Sequence, residues 1–182
     1  ESIDGLNLKE DSIVVDCTLG YGGHSSEILK RIKKGHLYAF DQDEEAIAFS
    51  SGRLSEIGDN FTIIHANFAN LKEELEKRGI MKVDAILFDL GVSSPQLDEA
   101  DRGFSYHQDA KLDMRMDQTQ ALSAYDVVNT FEEAELADIF YRYGEEKFSR
   151  SIARNIVAAR REHPIETTLE LAEIIKNSVP ER

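Results

Sequence analysis

Four short apolar runs punctuate the first half of the chain, and segments of helical period separate them. "SIVVDC" (Ser12–Cys17) leads into a glycine-rich stretch, "HLYAF" stops at Asp41, "FTIIHA" is followed by Asn67 and Phe68, and "VDAILF" stops at Asp89. Between them, Ile28, Leu29 and Ile32, then Ile47, Leu54 and Ile57, fall at the spacing of one helix face. "NLKEELEKRG" completes the set, with Asn70 expected to cap it and Gly79 to end it. Strands that alternate with helices need crossover connections, and these are right-handed. The chain is therefore expected to build an α/β fold around a parallel sheet. The near-continuous apolar character of the runs fits strands covered on both faces.

After Pro95 the alternation stops. Leu136, Ile139, Phe140 and Tyr143 form one helical stripe, and Phe148, Ile152, Ile156 and Ala159 a second, which Pro164 closes. Leu171, Ile174, Ile175 and Val179 form a third. Thr130 with Glu133, and Thr167 with Glu170, have capping-box spacing, and Ser25 or Ser26 is expected to cap the first helix after the glycines. An α/β part over 1–108 and an all-helical part over 109–182 are expected; a length of 182 residues suits one domain with a subdomain.

Cys17 is the single cysteine and lies in no ligand-spaced cluster, so neither a disulfide nor a metal site is expected. No apolar run reaches a membrane span, the N-terminus is acidic and polar, and a cytoplasmic location fits. The formal net charge of -14 argues against indiscriminate binding to nucleic acid. One stretch runs against it: Lys147, Arg150, Arg154, Arg160 and Arg161 outnumber the acids between Glu145 and His163. That stretch reads equally well as a solvated helix face.

Ligands of open parallel sheets bind at the carboxyl ends of the strands. Gly20, Gly22 and Gly23 follow the first strand and permit a tight turn with close backbone approach. Asp41 stands 21 positions after Gly20, suited to accept both ribose hydroxyls of a nucleoside. Phe68 suits an adenine ring, although an isolated phenylalanine is more often core, and Asp89 ends the fourth run. Together these indicate an adenosine-type ligand. Ser25 stands where a dinucleotide fingerprint has its third glycine, and no Gly-Lys-Ser/Thr loop exists. The pattern D-x-T-x-G-x-G-G resembles the first motif of class I S-adenosylmethionine-dependent methyltransferases.

"DCTLGYGGHS", "AFDQDEEAI", "LFDLGVSSPQLD", "RGFSY", "LDMRMD" and "YGEEKFSRSIARNIV" together resemble the MraW/RsmH family over nearly the whole chain. Those are bacterial methyltransferases acting on the N4 of a cytosine in small-subunit ribosomal RNA. The resemblance implies a Rossmann-like class I sheet interrupted by a helical insertion, with strand order 3-2-1-4 in this chain. It implies S-adenosyl-L-methionine as cofactor, 16S rRNA in the small ribosomal subunit as partner, and cofactor contacts at Gly22, Gly23, His24, Asp41, Phe68, Asp89 and Gln96. His24 and Gln96 come from the resemblance alone. The family continues beyond its insertion with further strands. The chain is therefore expected to be truncated, with the fourth strand a bare edge, a homodimer through that edge as one outcome, and weak or absent methyl transfer.

A cytosine amine has its lone pair delocalised into the ring. A site must hold it in line and accept its N–H hydrogens. Asp89 is expected to serve the cofactor first and the amine second, with Ser94 and the Pro95 carbonyl as further acceptors. Ser94-Pro95 resembles the start of the signature of DNA amino-methyltransferases, but Gln96 and Leu97 replace its second proline and its aromatic. Base stacking then falls to Phe104 or Tyr106. Arg102, Lys111 and Arg115 are expected to meet RNA phosphates, with Asp113 orienting Arg115. The alternative is that "LDMRMD" is a salt-bridged hinge. A NAD-dependent oxidoreductase and a non-catalytic adenosine-binding fragment are the competing functions.

Overall fold

The computed structural model describes residues 2–180. The chain divides into two compact units, Glu1–Ser93 with Met116–Gln118, and Ser94–Arg115 with Thr119–Arg182.

The first unit contains α1 (Ser2–Gly5), β1 (Ile13–Asp16), α2 (Gly23–Arg31), β2 (His36–Asp41), α3 (Glu44–Ser55), β3 (Phe61–His65), a 3-10 turn at Phe68–Asn70, α4 (Leu71–Lys77) and β4 (Ala85–Leu87). All four strands pair in parallel, in the order β3-β2-β1-β4. Alternate side chains of the strands enter opposite cores. Val14, Leu37 and Ala39 join Ile28, Leu29, Ile32 and Leu54 on one side. Val15, Phe40 and Ile64 join Cys17 and Leu75 on the other. The central strands are apolar without interruption because both faces are covered.

β4 differs from the expectation of a buried strand. Only Ala85–Leu87 pair, and Ile86 and Phe88 are 42% and 50% exposed. Among the described residues it pairs with β1 alone at the edge of the sheet, so its apolar side chains find cover on fewer sides.

Helix starts also depart from the sequence reading. α2 is preceded by Gly22 in the left-handed region, with no side-chain cap. Ser25 and Ser26 turn inward instead: Ser25 donates to Asp16 at 2.7 Å and Ser26 to the Gly22 carbonyl at 2.6 Å. Asn70 precedes α4 without a side-chain cap bond.

The buried Cys17 thiol is pushed up to about 12, first by burial and then by the neighbouring Asp16 carboxylate. The thiolate is the reactive form. Cys17 is therefore expected to react with a disulfide reagent at pH 8 ~100-fold more slowly in the folded protein than in denaturant. Comparable rates in the two states, followed by thionitrobenzoate release, would contradict its burial.

The second unit holds α5 (Ser94–Asp98), a 3-10 turn at Ala100–Arg102, α6 (Ala124–Thr130), α7 (Glu133–Gly144), α8 (Ser149–Arg160) and α9 (Thr168–Lys176). It begins ahead of the boundary expected at 109. Arg102 is buried and its carbonyl accepts the Met114 amide, which ties the 3-10 turn to the segment after it. Leu112, Val128, Leu136, Ile152, Ala153, Ile156 and Ile165 form its core. Ser123 and Asp126 make a full capping box for α6. Glu132 with Glu135, not Thr130 with Glu133, forms the box of α7; the Thr130 hydroxyl donates back to the Asp126 carbonyl. Thr167 caps α9 as expected, accepting from the Glu170 amide.

Candidate functional site

The carboxyl ends of β1, β2 and β4 lie side by side in the first unit, and the polar residues gather there. Asp16 ends β1, fully buried. Its carboxylate accepts from the Thr18 amide at 3.1 Å and from the Ser25 hydroxyl at 2.7 Å, so it joins the two ends of the glycine turn. Burial raises its pKa above the ordinary aspartate value, and those hydrogen bonds oppose the rise. The Thr18 hydroxyl in turn accepts the amide of Asp89 at 2.8 Å, which links the turn to the end of β4.

The turn is also gripped from α3. Ser50 donates to the Gly20 carbonyl at 2.6 Å and Arg53 to the Tyr21 carbonyl at 3.1 Å. Gly22 has φ 77°, and a Cβ there would lie 3.3 Å from the Ser50 hydroxyl. Gly23 is already helical, and a Cβ there meets nothing within 4 Å.

Asp41, at the end of β2, is half-buried. One oxygen accepts the Gly20 amide at 2.7 Å; the other accepts the amides of Gln42 and Asp43 at 2.8 and 3.0 Å. A carboxylate oxygen has more than one acceptor direction, so these bonds fix its orientation without exhausting it. Asn67 caps the 3-10 turn that carries Phe68 and donates to the Gln42 side chain at 2.9 Å. Phe68 packs partly on the second core, edge-on to Phe88 at 5.5 Å between ring centroids.

Asp89 stands at the end of β4 with its side chain 67% exposed, and the His24 Nδ1 lies 3.5 Å from one of its oxygens. Gly22, Gly23, His24, Asp41, Phe68 and Asp89 thus belong to one unit and to one end of its sheet. Asp16, Thr18, Ser50 and Arg53 shape the turn, yet sequence reading assigned them no role. The available signals were the D-x-T spacing and a serine, Ser50, on the apolar side of α3.

The other expected site residues lie in the second unit. Ser94 is exposed at the start of α5, and Gln96 is buried within it. The Pro95 carbonyl accepts the Glu99 amide at 2.9 Å, which engages one of its two lone pairs in the helix. Arg102 is 5% exposed; it donates to the Arg115 carbonyl at 3.2 Å and lies 5.9 Å from the centre of the Phe104 ring. A guanidinium buried in this way is a structural tie, in place of the phosphate contact expected of it. Arg115 grips both oxygens of Asp113 at 2.9 and 2.8 Å and donates to the Gln120 carbonyl at 2.7 Å. Those bonds hold the Asp113 carboxyl below the usual range. Both readings of "LDMRMD" called for this Arg115–Asp113 pair. Lys111 is exposed, as is Tyr106. A cavity of about 410 Å³ is lined by Lys111, Asp113, Arg115, Ser123, Tyr125 and Glu166 among others.

Among the described residues, no cluster of histidine, cysteine or acidic side chains is placed to hold a metal ion, and no helix is long and apolar enough to cross a membrane.

The sequence profile of the MraW methylase family matches residues 1–182. The "Ribosomal RNA small subunit methyltransferase H" of Exiguobacterium sibiricum is 62% identical over 180 residues, 99% of this chain and 58% of that protein. The protein of the same name from Oceanobacillus iheyensis is 58% identical over 181 residues, 99% of this chain and 56% of that protein. The chain thus spans a little over half the length of these curated relatives. A solved rRNA methylase from Streptococcus thermophilus matches with a TM-score of 0.44 and 34% identity, covering 50% of this chain and 52% of that one.

Proposed function

The chain belongs to the MraW methylase family, and from that premise we propose that the protein transfers a methyl group from S-adenosyl-L-methionine to the exocyclic N4 of a cytosine in 16S rRNA of the small ribosomal subunit, in the cytoplasm. One observation carries the cofactor assignment: the Gly20–Gly22 turn, Asp41 and Asp89 occupy the ends of three neighbouring parallel strands.

These residues fit such a cofactor. Gly22 lets the turn adopt its left-handed geometry close against Ser50, which a Cβ would crowd. Asp41, oriented by three amides, suits a pair of ribose hydroxyls. The donor set is acidic, which suits a cationic sulfonium and repels a pyrophosphate. Ser25 makes the same distinction, because its hydroxyl is committed to buried Asp16 where a dinucleotide fold wants a glycine.

S-adenosylmethionine supplies an electrophilic methyl carbon when bound. The protein's part is to position the amine and its hydrogens. Asp89, its side chain exposed and its backbone amide donating to the Thr18 hydroxyl, accepts an amine N–H and so turns the nitrogen lone pair toward the methyl carbon. His24, beside Asp89, keeps that carboxylate in place. No base must act before attack, since the product cation loses a proton readily to water or to Asp89. Lys111, Tyr106 and Phe104 remain candidates for RNA contact.

Calorimetric titration with S-adenosylmethionine and with NAD separates the two cofactor readings. Binding of the methyl donor alone is expected; binding of NAD alone would transfer the protein to the oxidoreductases. Mass spectrometry of 16S rRNA from cells with and without the gene then reads the product, with loss of one N4-methylcytidine expected. An unchanged nucleoside profile would leave the non-catalytic reading standing.

A further inference from the structure

The basic stretch noted in the sequence folds into something more specific than a solvated helix. α8 buries Ser149, Ile152, Ala153 and Ile156. Arg150, Arg154, Ala158 and Arg161 lie on the opposite, exposed side, at positions i, i+4, i+8 and i+11 of one stripe. Lys147 extends the stripe at the turn before the helix, its ammonium 5.2 Å from the centre of the Phe148 ring. Arg160 is excluded: it is half-buried and donates to the Val128 carbonyl at 2.7 Å. Among the described residues, Lys147, Arg150, Arg154 and Arg161 have no ion-pair partner. Four unpaired cations on one face are unexpected in a chain of net charge -14.

Exposed aromatic side chains precede this stripe in the chain, on α7. Tyr141 and Tyr143, in the last turn of α7, are 65% and 83% exposed. Their neighbouring acids are partly occupied: Asp138 pairs with Arg142 at 2.7 Å, and Glu146 accepts the Phe148 amide at 2.7 Å ahead of α8. The remaining acids of α7, Glu133 and Glu135, lie in its first turn, at the opposite end from Tyr143.

We infer that the α7–α8 turn and the exposed stripe of α8 form a docking surface for single-stranded RNA, with Lys147, Arg150, Arg154 and Arg161 on phosphates and Tyr143 stacked on a base. From Arg150 to Arg161 the stripe runs about 16 Å, enough for consecutive phosphates. Exposed tyrosines and unpaired cations are the two parts a sequence-tolerant single-strand surface needs. The inference draws on the ribosomal RNA reading only in choosing RNA over other polyanions. Its residues belong to the second unit, and the strand-end residues assigned to the cofactor belong to the first.

The test uses fluorescein-labelled 20-nucleotide poly(U) and anisotropy over a series of salt concentrations. The double variant Arg150→Glu/Arg154→Glu is expected to weaken binding more than tenfold, and its salt slope to fall by about 1.4 as two phosphate contacts go. Tyr143→Ala is expected to cost roughly tenfold, and Tyr143→Phe to restore wild-type affinity, because the ring stacks and the hydroxyl does not. Lys33→Glu, exposed on the first unit, is expected to change nothing. Melting curves and S-adenosylmethionine affinity of each variant should match wild type. Absence of poly(U) binding by wild type, or unchanged affinity in both the double variant and Tyr143→Ala, overturns the surface while leaving the cofactor reading to its own titration. Conversely, failure to bind S-adenosylmethionine removes the methyltransferase reading and does not touch this one.

Discussion

A valine at Gly22 is expected to weaken S-adenosylmethionine binding ~100-fold, whereas an alanine at Gly23 leaves it within about a factor of two. The residues are adjacent and belong to the same motif, and only their backbone geometry separates them. Gly22 sits at φ 77°, where a non-glycine residue costs about 1–3 kcal/mol and a β-branched one lies at the high end. Its new Cβ would stand 3.3 Å from the Ser50 hydroxyl and 3.4 Å from the Ser50 Cβ, before the two methyl groups are counted. Ser50 cannot retreat freely, because it holds the Gly20 carbonyl at 2.6 Å. The strain is relieved by moving the turn, and the turn's backbone is what the cofactor is proposed to meet. Gly23 has helical geometry and open space around it, and alanine there is worth up to about 1 kcal/mol of helix propensity. Calorimetry on the two variants, with melting curves to show that both fold, checks the contrast. Equal losses, or none in Gly22→Val, would mean that the turn is not where the cofactor lies.

The first unit was legible because its signals are local. Apolar runs between helical periods suffice for β1 to β3 and α2 to α4, and the glycines mark the turn by chemistry that no other residue shares. What escaped was set by distance in space. How deeply "VDAILF" is buried depends on having a neighbour on each side, and among the described residues β4 pairs with β1 alone. Ser25 and Ser26 have the side chains of caps, but Asp16, nine positions away, takes one and the Gly22 carbonyl the other. The three carboxylates of the strand ends look alike in sequence. Burial makes Asp16 a brace, three amides make Asp41 an oriented acceptor, and exposure leaves Asp89 available. α1 and α5 escaped because segments of four and five residues are too short to show a period.

Arginines illustrate the same limit with a larger energetic consequence. Arg102, Lys111 and Arg115 read alike as phosphate contacts, yet Arg102→Ala is expected to lower the unfolding free energy by about 3 kcal/mol, and Lys111→Ala by less than about 0.5 kcal/mol. Arg102 is 5% exposed and donates to the Arg115 carbonyl, while its own carbonyl accepts the Met114 amide. Alanine would strip buried acceptors of a charged donor, a loss larger than that of a neutral bond, and would leave a cavity beside Phe104. Met is a useful second substitution, since it restores most of the volume and none of the donors; Arg102→Met should therefore recover only part of the loss. For a chain of this size each kcal/mol moves the melting temperature by about 2–4 °C, so Arg102→Ala is expected to melt roughly 6–12 °C lower. Lys111 is exposed, and its removal should register in RNA affinity alone. If Arg102→Ala kept its melting temperature and instead lost affinity for RNA, the guanidinium would have to leave its buried position to meet a phosphate. The hydrogen bonds that now hold it would then be a closed state of the substrate site.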